Sequence, residues 1–92
     1  MIASFRHKGL KEFFETGSKR GISFELAARI SRRLDVLQAA KDLGDIDAHG
    51  FNLHRLRGDR YGEWTIWVSG NWRITFRFVK GEVHDINLED SH

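Results

Sequence analysis

Alternating apolar and polar residues organise the second half of this chain. Between residues 72 and 78 the apolar set is Trp72, Ile74, Phe76 and Phe78, and the polar set is Arg73, Thr75 and Arg77. Period-two alternation places such sets on opposite faces of a β-strand. A similar run at residues 63–68 precedes it, joined by a turn at residues 69–71. The pattern predicts a hairpin with one face on a core and two guanidinium groups on the other.

The first half shows helical spacing instead. Apolar residues three and four apart predict a short helix over about residues 8–16, which Gly17 is placed to end. A longer amphipathic helix is expected from Ser23, as its N-cap, to about Leu43, with Gly44 as its stop. Its polar face carries Arg29, Arg32 and Arg33. The position of these arginines indicates either a solvated helix face or a surface that contacts RNA or a protein partner.

Further strand patterns lie at residues 52–56 and 83–89, with a short opening strand at residues 2–5. Two helices followed by consecutive strands predict the α+β class, a small antiparallel sheet with both N-terminal helices packed on one face. The length predicts a single domain, residues 1–92. No apolar run approaches the ~18 residues of a membrane span, and no signal peptide is expected.

Composition and charge narrow the classes of partner. The chain is 40% hydrophobic and 30% charged, which is typical of a folded globular protein, and it has no cysteine for a disulfide or thiolate site. Net charge is only +2, but residues 51–80 carry six Lys or Arg against two acidic residues. A local excess of this kind predicts polyanion binding, with a solubilising surface as the alternative.

Arg73 is the strongest candidate for chemistry. Its apolar neighbours in the strand set its direction, and a rigidly held guanidinium can bind a phosphate through two hydrogen bonds. The alternative is a cross-strand salt bridge to Asp85 or Glu89. Arg77 shares the face and is either a second phosphate contact or such a salt-bridge partner.

His54 lies in a basic segment just before the hairpin. Nearby positive charge favours the neutral imidazole, which can act as a base, whereas an ordinary surface histidine is the alternative. The neighbouring arginines predicted to contact backbone phosphates are Arg55, Arg57 and Arg60. Trp67 falls on the face of the strand away from the core, where it would stack on a base or fill a protein interface.

The C-terminus adds a carboxylate and an imidazole, Asp90 and His92. If the last strand is anchored, these two groups lie at the sheet edge with His54 and Arg73. Together the four supply a base, an acid and an anion stabiliser for attack of an RNA 2′-hydroxyl on its own phosphate. No His, Cys or carboxylate set has ligand spacing, so neither a metal nor another cofactor is expected.

Two motifs carry a resemblance to a known family. They are Leu53-His54-x-Leu56-x-Gly58-Asp59-Arg60-x-Gly62-x-Trp64-x-Ile66-x-Val68 and Asn71-Trp72-Arg73-Ile74-x-Phe76, followed by the ending Asp90-x-His92. Over its whole length the chain resembles the HigB family, the host-inhibition or plasmid-maintenance branch of the RelE/ParE toxin superfamily. The resemblance implies the RelE-like fold, which agrees with the α+β pattern.

The resemblance also implies a function and partners. The protein would be a cytoplasmic bacterial toxin that enters the A site of the 70S ribosome and cleaves translated mRNA. A helix-turn-helix antitoxin of the HigA type would neutralise it and link it to operator DNA. The catalytic group, by matching positions, would be His54, Arg73, Asp90 and His92, with acid and base unassigned. Arg57 and Arg60 would lie along the RNA.

Two positions depart from the family pattern. Ser91 stands where the family commonly has tyrosine, and loss of a stacking ring is worth ~1–3 kcal/mol. Trp67 stands where many relatives carry a basic residue. We therefore expect weakened activity or an altered codon preference. Two other functions stay open, a gyrase inhibitor of the ParE branch and a catalytically weak co-repressor that binds the antitoxin.

Overall fold

The computed structural model describes residues 1–91, so His92 lies outside the described residues. The elements are α1 (Lys8–Thr16), α2 (Ala27–Ala39), α3 (Leu43–Asp47), β1 (His54–Arg55), β2 (Glu63–Ser69), β3 (Trp72–Val79) and β4 (Glu82–Asp90). Short 3₁₀ turns precede α2 at Phe24–Leu26 and β2 at Gly58–Arg60. The four strands form one antiparallel sheet in the order β1-β2-β3-β4. The predicted α+β class is confirmed.

One core joins the sheet to the helices. The alternation predicted for β2 and β3 is confirmed at the centre of the sheet, where the apolar side chains are fully buried: Ile66, Val68, Ile74 and Phe76. They belong to one cluster with buried residues of the two main helices, namely Leu10, Ile30, Leu34 and Leu37. Burying each such side chain contributes roughly 1.5–3 kcal/mol. The helices therefore cover one face of the sheet and leave the other open.

The opening segment makes two isolated parallel bridges to β4 instead of a full strand. β4 bulges beside it, where Asp85 has a φ of 55° and its amide donates to the Ser4 hydroxyl at 2.8 Å. The extra residue of a bulge shifts the alternation by one position. Val83 and Ile86, three apart, are consequently both fully buried.

The longer helix is shorter than its pattern predicted. Ala40 leaves α2 with an extended backbone, and the Asp42 side chain then caps α3 by accepting from the Asp45 amide at 2.9 Å. Gly44 therefore lies inside α3 and does not end α2. Ser23, the predicted N-cap, makes no capping hydrogen bond with its side chain and precedes the 3₁₀ turn. None of the helices within residues 1–91 is long and apolar enough to cross a membrane.

The arginines of α2 divide into two kinds. Arg29 and Arg32 are exposed, as the solvated-face alternative predicted, but Arg33 is only 7% exposed. Its Nε donates to the Trp67 carbonyl at 2.7 Å, and its guanidinium lies 4.2 Å from the centre of the Phe51 ring. Burial, followed by the like charges of Arg29 and Arg32, lowers the pKa of Arg33. Arg33 thus links α2 to the end of β2 through a hydrogen bond.

Candidate active site

The open face of the sheet carries two rows of side chains. In one row His54 lies opposite Thr65, which in turn lies opposite Thr75. In the next row Arg73 lies between Trp67 on β2 and Glu89 on β4. Directly opposed residues of antiparallel strands point to the same face. The register therefore brings residues from all four strands onto one surface.

A small pocket opens on this surface beside the β2–β3 turn. We call it the Arg73 pocket, and its lining is Asn52, His54, Thr65, Trp67, Gly70, Asn71, Trp72, Arg73 and Ser91. Its volume is about 170 Å³. Sites for whole small molecules are usually ~300–1,000 Å³, so this one suits part of a polymer, such as a phosphodiester group. The fold thus brings together His54 and Arg73, which the sequence placed 19 positions apart.

The tautomer of His54 follows from its contact with Asn52. His54 Nδ1 lies 3.0 Å from the Asn52 carbonyl oxygen. A carbonyl only accepts, so Nδ1 carries the hydrogen and Nε2 keeps its lone pair in the neutral ring. Asn52 has a φ of 57°, a conformation that asparagine tolerates better than most residues. The imidazole therefore presents a proton acceptor, as a general base requires.

Arg73 has no anionic partner among residues 1–91. Its Nε is buried without a hydrogen-bond partner, and none of the ion pairs within residues 1–91 includes it. The alternative prediction, a salt bridge from Arg73 to Asp85 or Glu89, is therefore not found in the described part of the chain. The Thr65 hydroxyl of the same pocket is also buried and unpartnered. An unsatisfied buried polar group costs about 1–3 kcal/mol, so two in one pocket indicate a polar ligand.

Two tryptophans flank Arg73. The Trp67 side chain faces outward as predicted, and its Nε1 donates to the Gly70 carbonyl at 2.9 Å, which fixes the ring against the turn. Trp72 was predicted to pack on the core but is 36% exposed, because it begins β3 where the helices no longer cover the sheet. Rigid exposed rings of this kind can stack on bases.

Arg60 belongs to a separate ion cluster. We call Arg60, Glu63 and Glu89 the Arg60 cluster, since the guanidinium bonds to Glu63 at 2.8 and 3.2 Å and to Glu89 at 2.6 and 2.7 Å. Hydrogen bonds from Arg60 and then Thr75 lower the pKa of Glu89 to about 2. The Arg60 hydrogen bonds also lower the pKa of Glu63. RNA contact by Arg60 stays a prediction, but its present bonds are all to carboxylates.

The remaining predicted RNA contacts lie outside the Arg73 pocket. Arg55 lies opposite Trp64 and therefore on the other face from His54, with its guanidinium 4.7 Å from the Trp64 ring and 5.0 Å from Tyr61. Arg57 is exposed just before the 3₁₀ turn. Arg77 makes a long ion pair of 3.9 Å, with Asp85. That pair matches the salt-bridge alternative for Arg77.

The last strand, β4, is anchored at its end as predicted. β4 continues to Asp90, which is exposed and lies opposite Trp72, and the Ser91 amide donates to the Asn71 carbonyl at 2.8 Å. Ser91 itself lines the pocket. By strand alternation Glu89, and not Asp90, shares the face of Arg73. The predicted roles of Asp90 and of His92, which lies outside the described residues, stay predictions.

Sequence reasoning missed the groups that prepare the site. They are the Asn52 carbonyl, two residues from His54, the unpartnered Thr65 hydroxyl, and the bonds from Arg60 to Glu63 and to the distant Glu89. Only Thr65 left a signal, since it shares a strand face with Trp67. Among residues 1–91 there is no group of three or more histidine or acidic side chains that could hold a metal ion.

The helix-backed antiparallel sheet is consistent with the RelE-like fold that the sequence predicted. The protein-family model for the RelE-like toxin of the type II toxin–antitoxin system HigB matches residues 3–92 of this chain. Endoribonuclease HigB of Proteus vulgaris is 45% identical over 92 residues, which is the full length of both chains. The chain therefore belongs to the HigB family of RelE-like toxins, and a type II system implies an antitoxin as its partner.

Proposed function

We propose that this toxin is an endoribonuclease that cleaves mRNA in the A site of the bacterial 70S ribosome and so stops translation. Membership of the HigB family and the name of the Proteus relative support the endoribonuclease activity. The observation that carries the assignment of the site is the buried, unpartnered Nε of Arg73 in a pocket that His54 also lines.

His54 is the proposed general base. Its Nε2 takes the proton of the RNA 2′-hydroxyl, whose oxygen forms a bond to the adjacent phosphorus. His54 and Arg73 lie on strands two spacings apart, roughly 10 Å between backbones, so a phosphodiester fits between the two side chains. Such an arrangement positions the nucleophile and the phosphate at the same time.

Arg73 stabilises the charge of the pentacoordinate phosphate. Its guanidinium is aimed by the β3 backbone and is not neutralised by a carboxylate of residues 1–91, so it can donate two hydrogen bonds to phosphate oxygens. The bond from phosphorus to the 5′-oxygen then breaks, and that oxygen takes a proton from Asp90 or His92. The products are a 2′,3′-cyclic phosphate and a 5′-hydroxyl.

The rest of the open face guides the RNA. Trp67 stacks on a base beside the scissile phosphate, and Arg57 and Arg77 add a positive field that steers the polyanion. A helix-turn-helix antitoxin of the HigA type binds the toxin and carries it to operator DNA. The protein acts in the cytoplasm, where ribosomes translate the mRNA that it cleaves.

Arg73→Ala tests the assignment. We expect cleavage of mRNA, mapped by primer extension in cells that express the toxin without antitoxin, to fall at least ~100-fold, because an oriented donor to the developing charge is lost. Growth arrest should disappear with it. Arg20→Ala, in the exposed loop after α1, controls for the loss of one charge. Wild-type cleavage by Arg73→Ala would show that the assignment is wrong, and DNA damage with intact mRNA would favour gyrase inhibition.

A further inference from the structure

Arg73 and Glu89 are opposed in the sheet but are not bonded to each other. The register pairs them directly, which places their Cβ atoms about 5 Å apart on one face. Opposite charges at such positions ordinarily attract. Here the Glu89 carboxylate bonds to Arg60 through both oxygens, at 2.6 and 2.7 Å, and within residues 1–91 no bond joins it to Arg73.

We propose that Arg60 is a positioning residue that holds Glu89 away from Arg73 and thereby keeps the Arg73 guanidinium available to the RNA phosphate. The inference rests on the proposed role of Arg73 in cleavage. It assigns to Arg60 an action through Glu89, distinct from contact with the RNA.

The geometry of Glu89 supports this role. Its Oε2 also accepts from the Thr75 hydroxyl at 2.9 Å and from the Asn87 amide at 3.4 Å. A carboxylate that is held by several donors on one side has little capacity for another cation. The side chain is consequently fixed toward β1 and the 3₁₀ turn.

Arg60 is itself fixed by a second acid. Its Nε donates to Glu63 Oε2 at 3.2 Å, and its Nη2 donates to Glu63 Oε1 at 2.8 Å. All three guanidinium nitrogens therefore bond to carboxylates, since Nη1 bonds to Glu89. Glu63 is buried, so Arg60 is held from a rigid part of β2.

Removal of Arg60 would release Glu89 toward Arg73, the residue directly opposite it in the sheet. A carboxylate paired with Arg73 would neutralise its charge and would repel the entering phosphate. Both effects lower cleavage, and both disappear if residue 89 is uncharged. Direct contact of Arg60 with RNA predicts a different result, because a neutral residue 89 would not replace the lost contact.

The experiment compares Arg60→Gln, Glu89→Gln and the double variant, with Arg20→Gln as the control for loss of one charge. Cleavage is measured on mRNA in programmed ribosomes, and the unfolding midpoint of each variant is recorded. We expect Arg60→Gln to lose at least ~10-fold in cleavage and the double variant to recover to within ~3-fold of wild type, although its unfolding midpoint stays low.

Recovery of cleavage without recovery of stability separates positioning from a structural role. A double variant as inactive as Arg60→Gln, or an Arg60→Gln variant with wild-type cleavage, would overturn the inference. Arg73→Ala in the same assay separates the two proposals. Full cleavage by Arg73→Ala defeats the proposed site, whereas dependence on Arg73 without rescue by Glu89→Gln defeats the positioning role alone.

Discussion

The Arg60 cluster and the Arg73 pocket lie on the same open face of one sheet, yet they treat a guanidinium in opposite ways. Arg60 bonds to two carboxylates at 2.6–3.2 Å. Arg73 lies next to one of those carboxylates in register but leaves its Nε buried without a partner. From the sequence both were predicted to bind phosphate, Arg73 in the catalytic group and Arg60 along the RNA backbone.

The difference separates a charge that is paired within the fold from a charge that we propose binds a ligand. A paired and hydrogen-bonded guanidinium has no further anion to attract, whereas an unpaired one keeps its field for a phosphate. Arg33 shows a third arrangement, since it pairs with no carboxylate of residues 1–91 but donates to the Trp67 and Arg29 carbonyls at 2.7 and 3.1 Å. Partners, and not residue type, decide which arginine is available.

The largest effect is expected within the Arg73 pocket. His54→Ala should lower mRNA cleavage by ~10²–10⁴-fold, because the proposed general base is removed while the fold is kept. Primer extension on a defined mRNA measures the loss of cleavage. The matched control is His49→Ala, since His49 is also exposed but stacks on Phe51, 5.7 Å between ring centres, outside the pocket. Equal losses in both variants would contradict the assignment of His54.

A second comparison contrasts two arginines of α2. Arg33→Met should cost about 2 kcal/mol of unfolding free energy, because the Trp67 carbonyl loses its charged donor. Arg32→Met, at an exposed position of the same helix, should change it by less than ~0.5 kcal/mol. Urea denaturation measures both. A similar loss of unfolding free energy for the two substitutions would refute the role of Arg33 in linking α2 to β2.

The Arg60 cluster should give stability a pH dependence. The pKa of Glu89 is about 2 in the folded protein against an ordinary value of 4.5, so its stabilisation is complete above pH 4.5 and is lost as pH falls toward 2. The wild type should exceed Glu89→Gln by ~1–2 kcal/mol at neutral pH, and the gap should close on acidification. Urea melts across this range measure the gap, and a gap independent of pH would contradict the ion pairing.

The smallest effect concerns the departure at residue 91. Ser91→Tyr adds a ring to the lining of the Arg73 pocket, and we expect a gain of about 1 kcal/mol or less in RNA binding, a few-fold in cleavage, from stacking. The backbone bond from residue 91 to Asn71 is retained. Ser91→Thr is the control without a ring. Equal activity of the two variants would show that the missing tyrosine matters little in this chain.

Much of the fold was predictable because its signals are local. The runs 63–68, 72–78 and 83–89 became strands that extend them by about one residue, and the first helix has the predicted bounds. The run 52–56 became only the two-residue strand β1, since Asn52 has a left-handed backbone. The end of α2 was also wrong, because the Asp42 cap starts a new helix.

The candidate site, like the fold, has a part that the sequence predicted and a part that it did not. The alternation of β3 was enough to place Arg73 on the open face, and the motifs were enough to indicate His54. The bond from Arg60 to Glu89 was not predictable, because Glu89 lies 29 residues away and reaches Arg60 only through the register of the sheet.

The sequence by itself determined the hairpin, the two helices, the family and the direction of Arg73, because periodicity and motif spacing act within short segments. Only the tertiary structure decided which charges are neutralised. Pairing of a guanidinium depends on where distant carboxylates and carbonyls arrive, and that is set by strand register and helix packing. For this reason Arg60 and Arg73, both predicted from the sequence to bind phosphate, differ in their partners in the folded protein.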